Sequence, residues 1–233
     1  VGGLIAISLK DDDEVIGASL ATDKDELLLV SKKGMSLRFS ANNESLRATG
    51  RSTSGVIGMK FRAGDELLAM ARVDSKSDNL FVFTATDGGF GKKSALDEYR
   101  LQNRGGIGIK AAKIDEDSRG VLVSALVISN DDEILAITSS GTVMRTDASE
   151  VRQTGRDSMG VRLVNLESGS TLLSVTKNSE NANPNMPAAA RRRVLTTFVA
   201  MSPGSMRTTS TPKRATSGRS ASVRPSSANF VAL

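Results

Sequence analysis

A block of about 53 residues recurs along this chain, and no other feature limits so tightly what it can fold into. The first copy runs Glu26-Leu-Leu-Leu-Val30, then Ser31-Lys-Lys-Gly34, then Met35-Ser-Leu-Arg38. The second runs Asn79-Leu-Phe-Val-Phe83, then a turn through Asp87-Gly88, then Gly91-Lys92-Lys93. The third runs Glu133-Ile-Leu-Ala-Ile137, then Ser139-Ser140-Gly141, then Thr142-Val-Met-Arg145. Turn glycines fall at 34, 88 and 141, each followed four residues later by a cation: Arg38, Lys92 and Arg145. Further on, a pair of arginines four apart returns as Arg47 and Arg51, Arg100 and Arg104, Arg152 and Arg156. Gly55, Gly108 or Gly160 comes four residues after the second arginine, and alternating apolar stretches follow at 56–61, 109–114 and 161–166. Each unit closes on a strand-like run, at 67–73, 121–128 or 172–176, and residues 3–22 repeat the second half of the unit at an offset of 52.

The chain thus divides into half a unit (1–24), three whole units (25–75, 76–129 and 130–178) and a tail (179–233). Each whole unit offers about four short β-branched or alternating segments between Gly, Asp, Asn and Ser turns, with no sustained helical period. Four strands in about 50 residues is the arithmetic of a propeller blade, and a blade buries both faces only when neighbours stack on it. The expected fold class is all-β, a propeller-like stack of four-stranded blades. Half a unit plus three does not close a ring, so open strand edges are expected at both ends. The first residue is Val rather than Met, which reads as an internal piece of a longer gene product.

The formal charge of +5 misleads. From Asn181 to Leu233 there are eight cations and no Asp or Glu, which leaves 23 cations against 26 anions, a net of −3, in residues 1–180. The tail is rich in Ser, Thr, Ala and Pro, cannot bury enough apolar surface to order itself, and is expected to be disordered. A basic arm of this kind reads as a nucleic-acid or membrane tether; an acid-free Arg/Ser/Thr/Pro/Ala string is also what a frame shift in a GC-rich gene produces. No function is rested on it. The absence of His, Cys and Trp excludes imidazole bases, thiolate nucleophiles and His/Cys zinc sites, and fits a reducing cytoplasm. The longest apolar runs fall far short of the ~20 residues that a membrane span needs, so no membrane partner is expected.

A cation needed only for solubility has no reason to return at the same point of every unit. Lys32, Lys33, Arg38, Lys92, Lys93 and Arg145, with the two arginine series Arg47, Arg100, Arg152 and Arg51, Arg104, Arg156, are therefore the candidate contacts. A rim of evenly spaced cations suits a polyanion passing successive units, and double-stranded nucleic acid bound through its phosphates is the obvious one. In Gln102-Asn103-Arg104-Gly105-Gly106-Ile107-Gly108 the glycines either let backbone amides approach a phosphate or make a tight connection at positive φ; spacing alone leaves both open. Gly88 to Gly91 lacks a P-loop's Lys-Ser/Thr and reads as a hairpin turn. The acidic clusters 11–14, 115–117 and 130–133 lie in turns before strands and lack a calcium loop's ligand spacing. Tyr99 reads as a half-buried strand-end residue.

The repeat length, the turn cations and the 102–108 stretch together resemble the C-terminal domain of DNA gyrase A, of the actinobacterial or mycobacterial type, over residues 1 to about 178. That resemblance implies a β-pinwheel, a disc of blades that exchange strands with their neighbours, with duplex DNA wrapped on a basic rim to support negative supercoiling. The family's box reads Gln, basic, Arg, Gly, Gly, basic, Gly. Gln102, Arg104, Gly105, Gly106 and Gly108 match it, while Asn103 and Ile107 replace the two outer cations. By the resemblance, Arg104 and its glycines grip phosphates, with Arg51 and Arg156 at the same point of their blades. It also implies no catalytic site here: the cleaving tyrosine lies in the N-terminal part of gyrase A, and ATP and Mg²⁺ act elsewhere in the parent enzyme. The implied partners are DNA, the rest of gyrase A, and gyrase B in a heterotetramer, on the cytoplasmic nucleoid. The corresponding domain of topoisomerase IV and a propeller-like protein-interaction module are the rival readings.

Overall fold

A computed structural model of the chain describes residues 5–9, 13–50, 53–74, 76–178 and 229–232. Each whole unit folds its first two runs into an antiparallel hairpin. These are β2 (Glu26–Ser31) with β3 (Met35–Ser40), β5 (Phe81–Thr86) with β6 (Phe90–Ala95), and β9 (Glu133–Thr138) with β10 (Val143–Asp147). The closing run of the unit returns along the other edge of the first hairpin strand. Thus β4 (Leu67–Val73) lies on β2, β8 (Leu122–Ile128) on β5, and β12 (Leu172–Lys177) on β9. A register shift recurs at the same point of all three pairings, where Leu67, Leu122 and Leu172 enter.

The outermost strand of a sheet belongs to the next unit. Two-residue β7 (Ile109–Lys110) pairs with β3, and β11 (Val161–Arg162) pairs with β6. The sheets therefore run β4-β2-β3-β7 and β8-β5-β6-β11, while the third holds β12-β9-β10. Two of these three sheets hold four strands, and the strand exchange that the resemblance implies is what the repeat units alone did not announce. The alternating stretch at 56–61 forms no strand among the described residues. The fold is all-β apart from one turn of helix, α1 (Glu116–Arg119), capped by Asp115, and a 3-10 turn at Leu96–Glu98.

Strand exchange explains why the first hairpin strands read as unbroken apolar runs rather than alternating ones, since both of their faces are covered. On β2, Leu28 and Val30 pack towards the second unit with Val82, Leu96, Tyr99 and Leu122, whereas Leu27 and Leu29 pack the other way with Ala21, Phe39 and Met59. On β5, Phe81, Phe83 and Ala85 pack towards the third unit with Ile134, Ala136 and Val164. Tyr99 is only 1% exposed, deeper than expected, because it lies at the bottom of this inter-unit core; burial pushes its phenol pKa up to about 12.

One expectation falls at the chain's extremities. Strand β1 (Ala18–Ala21), from the half unit, pairs antiparallel with β13 (Asn229–Ala232), so residues 229–232 are not the unstructured tail predicted for 179–233. An extended apolar segment is held there because β1 offers it a full edge of backbone donors and acceptors. The rest of the tail lies outside the described residues. Among the described residues no helix is long and apolar enough to cross a membrane.

Candidate nucleic-acid interface

Hairpin registers fix which recurring cations are equivalent. Arg38 stands opposite Leu28, Lys93 opposite Phe83 and Arg145 opposite Leu135. The turn glycine at positive φ is Gly34, Gly89 and Gly141 in turn. The alignment through Gly88 and Lys92 is thus one residue out, and Lys93 is the true counterpart of Arg38 and Arg145. Lys92 instead occupies the register position of Leu37 and Met144, which face apolar cores.

That shift explains a correction. Lys92 is 2% exposed and its ammonium donates to the carbonyls of Gly155, at 3.1 Å, and Arg156. Burial lowers its pKa to about 8, with Glu98 and Asp157 opposing the drop. Lys93 is 4% exposed, donates to Ala148 O at 2.6 Å and Asn130 Oδ1 at 2.7 Å, and is also lowered by burial. Neither lysine is presented to a polyanion. Arg38 is similarly engaged: Nε pairs with Glu26 at 2.5 Å, and Nη1 donates to Leu96 O at 3.0 Å and Tyr99 O at 3.1 Å. Leu96 and Ala148 hold matching positions, so Arg38 and Lys93 fasten each hairpin to the same carbonyl of the next unit. Arg145 pairs with Glu133 at 3.1 Å and its side chain is 59% exposed, against 14% for Arg38.

The second arginine series fastens units in the opposite direction. Arg104 donates from Nε to Ser45 O at 2.5 Å and from Nη1 to Ile57 O at 3.1 Å, both in the preceding unit. Arg156 donates to the carbonyl of Lys110, the counterpart of Ile57, while its backbone N–H meets Glu98 Oε2 at 2.7 Å. Arg51 lies outside the described residues. The 102–108 stretch is the same joint seen from the backbone. Gln102 N donates to Arg38 O at 2.8 Å, Gly105 N to Gly58 O at 2.6 Å, and Lys60 N to Gly106 O at 2.8 Å. At Gly108, φ is +80° and an added Cβ would sit 2.0 Å from Ser36 O, which demands glycine. Of the two readings left open for this box, the geometry supports the tight connection.

The first arginine of each recurring pair stays outward: Arg47, Arg100 and Arg152 are each exposed. Arg100 and Arg152 directly precede matching parallel bridges, Arg38↔Leu101 and Lys93↔Gln153, so the joint sets both at the same point of their units. Lys33 is exposed and donates to Ala63 O at 3.3 Å; Lys32 pairs with Glu66. Sequence reasoning also passed over exposed cations that recur in pairs: Lys60 and Lys113 at one repeat position, Lys110 and Arg162 at another. The signal was the polar phase of the alternating stretches, which had been read only for its apolar phase. Arg162 also lies over the Phe90 ring at 4.8 Å, with Arg119 over the same ring at 4.5 Å.

The acidic clusters at 115–117 and 130–133 serve turns, while residues 11 and 12 of the cluster at 11–14 lie outside the described residues. Asp132 accepts from Ser129 N at 2.7 Å, and Asp115 from Ser118 Oγ at 2.6 Å. Among the described residues no three acidic groups converge as a metal site would require.

A family model described as DNA gyrase C-terminal domain, beta-propeller, matches residues 2–22, 25–74, 81–129 and 132–179. The DNA gyrase A protein of Streptomyces coelicolor is 56% identical over 184 residues, covering 77% of this chain and 21% of that protein. Its Mycobacterium leprae counterpart is 46% identical over 200 residues, 84% of this chain and 15% of that protein, so the chain spans about a fifth or less of such relatives. A solved DNA gyrase A C-terminal domain superposes with a TM-score of 0.68 at 31% identity, over 75% of this chain and 58% of that one. The solved C-terminal domain of DNA topoisomerase IV gives the same TM-score at 25% identity, over 74% and 52%.

Proposed function

The chain belongs to the family of DNA gyrase C-terminal domains, and from that premise we propose that it holds duplex DNA by its phosphates along a row of cations that recurs once per unit. The observation carrying this reading is the outward position of Arg47, Arg100 and Arg152, the last two set by a joint with the same hydrogen bonds in successive units. Lys60, Lys113, Lys110 and Arg162 extend the row. Phosphate contacts carry no sequence information, so binding is indifferent to base sequence.

Wrapping follows from the same arrangement. Bending duplex by 40–90° over 20–30 base pairs costs about 1–6 kcal/mol, and phosphate neutralisation at successive units offsets that cost. A wrapped segment of fixed hand is what a type II topoisomerase needs to bias strand passage towards negative supercoils. In this reading the chain acts within gyrase, with the rest of gyrase A and with gyrase B, on the cytoplasmic nucleoid. Strand cleavage and the use of ATP and Mg²⁺ lie outside this chain. The topoisomerase IV reading draws equal support from overall shape and less from sequence identity.

The test is a salt series of duplex binding by the full chain, in a background where the eight tail cations are Gln. Replacing Arg47, Arg100 and Arg152 together by Gln should make the slope of log K against log salt shallower by about 2.7, at about 0.9 per phosphate. A slope that stays unchanged removes the row. Binding that vanishes in the background itself assigns the DNA to the tail.

A further inference from the structure

Strand β1 is the counterpart of β4 and β8. Its last residue, Ala21, is buried as Val73 and Ile128 are. The turn that follows is built alike: Thr22 N donates to Asp25 Oδ2 at 2.7 Å, as Ser129 N does to Asp132 Oδ2 at 2.7 Å. On β4 and β8 the facing edge is taken by the first strand of a hairpin, with Val73 opposite Glu26 and Ile128 opposite Phe81. On β1 it is taken by β13, with Ala21 opposite Asn229, Leu20 opposite Phe230, Ser19 opposite Val231 and Ala18 opposite Ala232. Asn229-Phe230-Val231-Ala232 therefore stands in the register of Glu26-Leu27-Leu28-Leu29 and of Phe81-Val82-Phe83-Thr84, antiparallel as they are.

We propose that the edge of β1 is a strand-acceptor site, and that residues 229–232 are its intramolecular ligand, exchangeable for the first strand of a repeat hairpin. The partner chemistry is that of β-addition: main-chain hydrogen bonds to an extended segment, with a run of apolar residues to match the alternating faces of the sheet. Phe230-Val231-Ala232 supplies that run at the end of a segment otherwise dominated by Ser, Thr, Arg and Pro. One edge holds one strand, so the C-terminal segment and a hairpin strand exclude each other. An edge left empty pairs with other chains.

The inference is independent of DNA, and so is its test. The chain has no Cys, which allows a register-specific crosslink in the full-length protein. Directly opposed residues across an antiparallel pair lie about 4.5–5.5 Å apart at Cα, within the range a disulfide bridges. Ser19→Cys with Val231→Cys should close under mild oxidation. Ser19→Cys with Phe230→Cys, one residue out of register, should close far more slowly. Phe198-Val199-Ala200 repeats the same triple, and Ser19→Cys with Val199→Cys is the second control. A peptide of residues 25–31 should slow the 19–231 closure in proportion to its concentration, and a scrambled peptide should not. Equal closure in all three pairs, or closure indifferent to the 25–31 peptide, overturns the proposal. Hydrogen exchange gives a check without cysteines: deleting residues 229–233 should expose the amides of residues 18–21, and unchanged protection there also overturns it.

Discussion

The ammonium of Lys93 lies 5.1 Å from the centre of the Phe81 ring, in the spot where Arg38 meets the Glu26 carboxylate and Arg145 meets that of Glu133. The recurring cation thus keeps a partner two residues before its cross-strand neighbour even where the partner changes from carboxylate to ring. In the first two units it is also tied to a carbonyl of the following unit. Recurrence here marks a joint at least as much as a ligand surface, and the two roles separate on substitution.

Lys92→Met should leave stability within about 1 kcal/mol of the parent, since Met144 and Leu37 show that the position accepts an apolar chain. Lys92→Ala should cost more, about 2–4 kcal/mol, because it adds a void to the loss of the carbonyls' donor, which the two variants share. Urea midpoints of the two variants check the ordering.

Stability should rise as pH climbs from about 8 towards the ordinary lysine range near 10.4. The folded state binds fewer protons at Lys92 than the unfolded chain across that window, and stability increases with pH wherever the unfolded state binds more. Above pH 10 the sign reverses: Tyr99 keeps its proton to about 12 when folded but loses it near 10 when unfolded. A denaturation series from pH 7 to 11 should show the rise, and Lys92→Met should flatten it.

Gly108→Ala should cost about 3 kcal/mol or more, from the 2.0 Å clash with Ser36 O added to a left-handed φ. Gly105→Ala, at φ +76° with its nearest outside atom 3.7 Å away, should cost only about 1–2 kcal/mol. A box that gripped phosphate would lose DNA affinity in both variants alike; the joint predicts that stability separates them.

Arg104→Gln should lower the melting temperature while leaving the salt slope of DNA binding nearly unchanged, since its guanidinium is held by Ser45 and Ile57 carbonyls. Lys113→Gln and Arg162→Gln should do the reverse, each taking about 0.9 from the slope. Reversal of that pattern would return Arg104 to the DNA surface.

The repeat and the all-β architecture were legible because apolar periodicity and turn glycines are local signals that copy faithfully from unit to unit. The errors have physical reasons. The second unit carries three more residues ahead of its hairpin, eight positions from Val73 to Phe81 against five from Ile128 to Glu133, and adjacent Gly88 and Gly89 hide the shift, so Lys92 took the role of Lys93. Lys92 reads as a surface cation by type, yet its strand parity points it inward. Strands β7 and β11 are two residues long and carry no period, so their allegiance to the preceding unit was visible only through the family resemblance. The pairing of β1 with β13 spans the whole length of the chain, and no local pattern announces such a contact.

The first two whole units are each closed from behind by the one that follows: β7 and Leu96 secure the first, β11 and Ala148 the second. The direction of that dependence gives the array a polarity. Loss of the third unit strips the second of its outer strand and of the Lys93 anchor, which in turn loosens the hold on the first; loss of the first frees β7 and the Arg104 guanidinium but leaves the β8-β5-β6-β11 sheet whole. The molecule should therefore ravel like knitting, more readily from one end than the other, and a protease or a steady pull applied near residue 178 would undo it stitch by stitch.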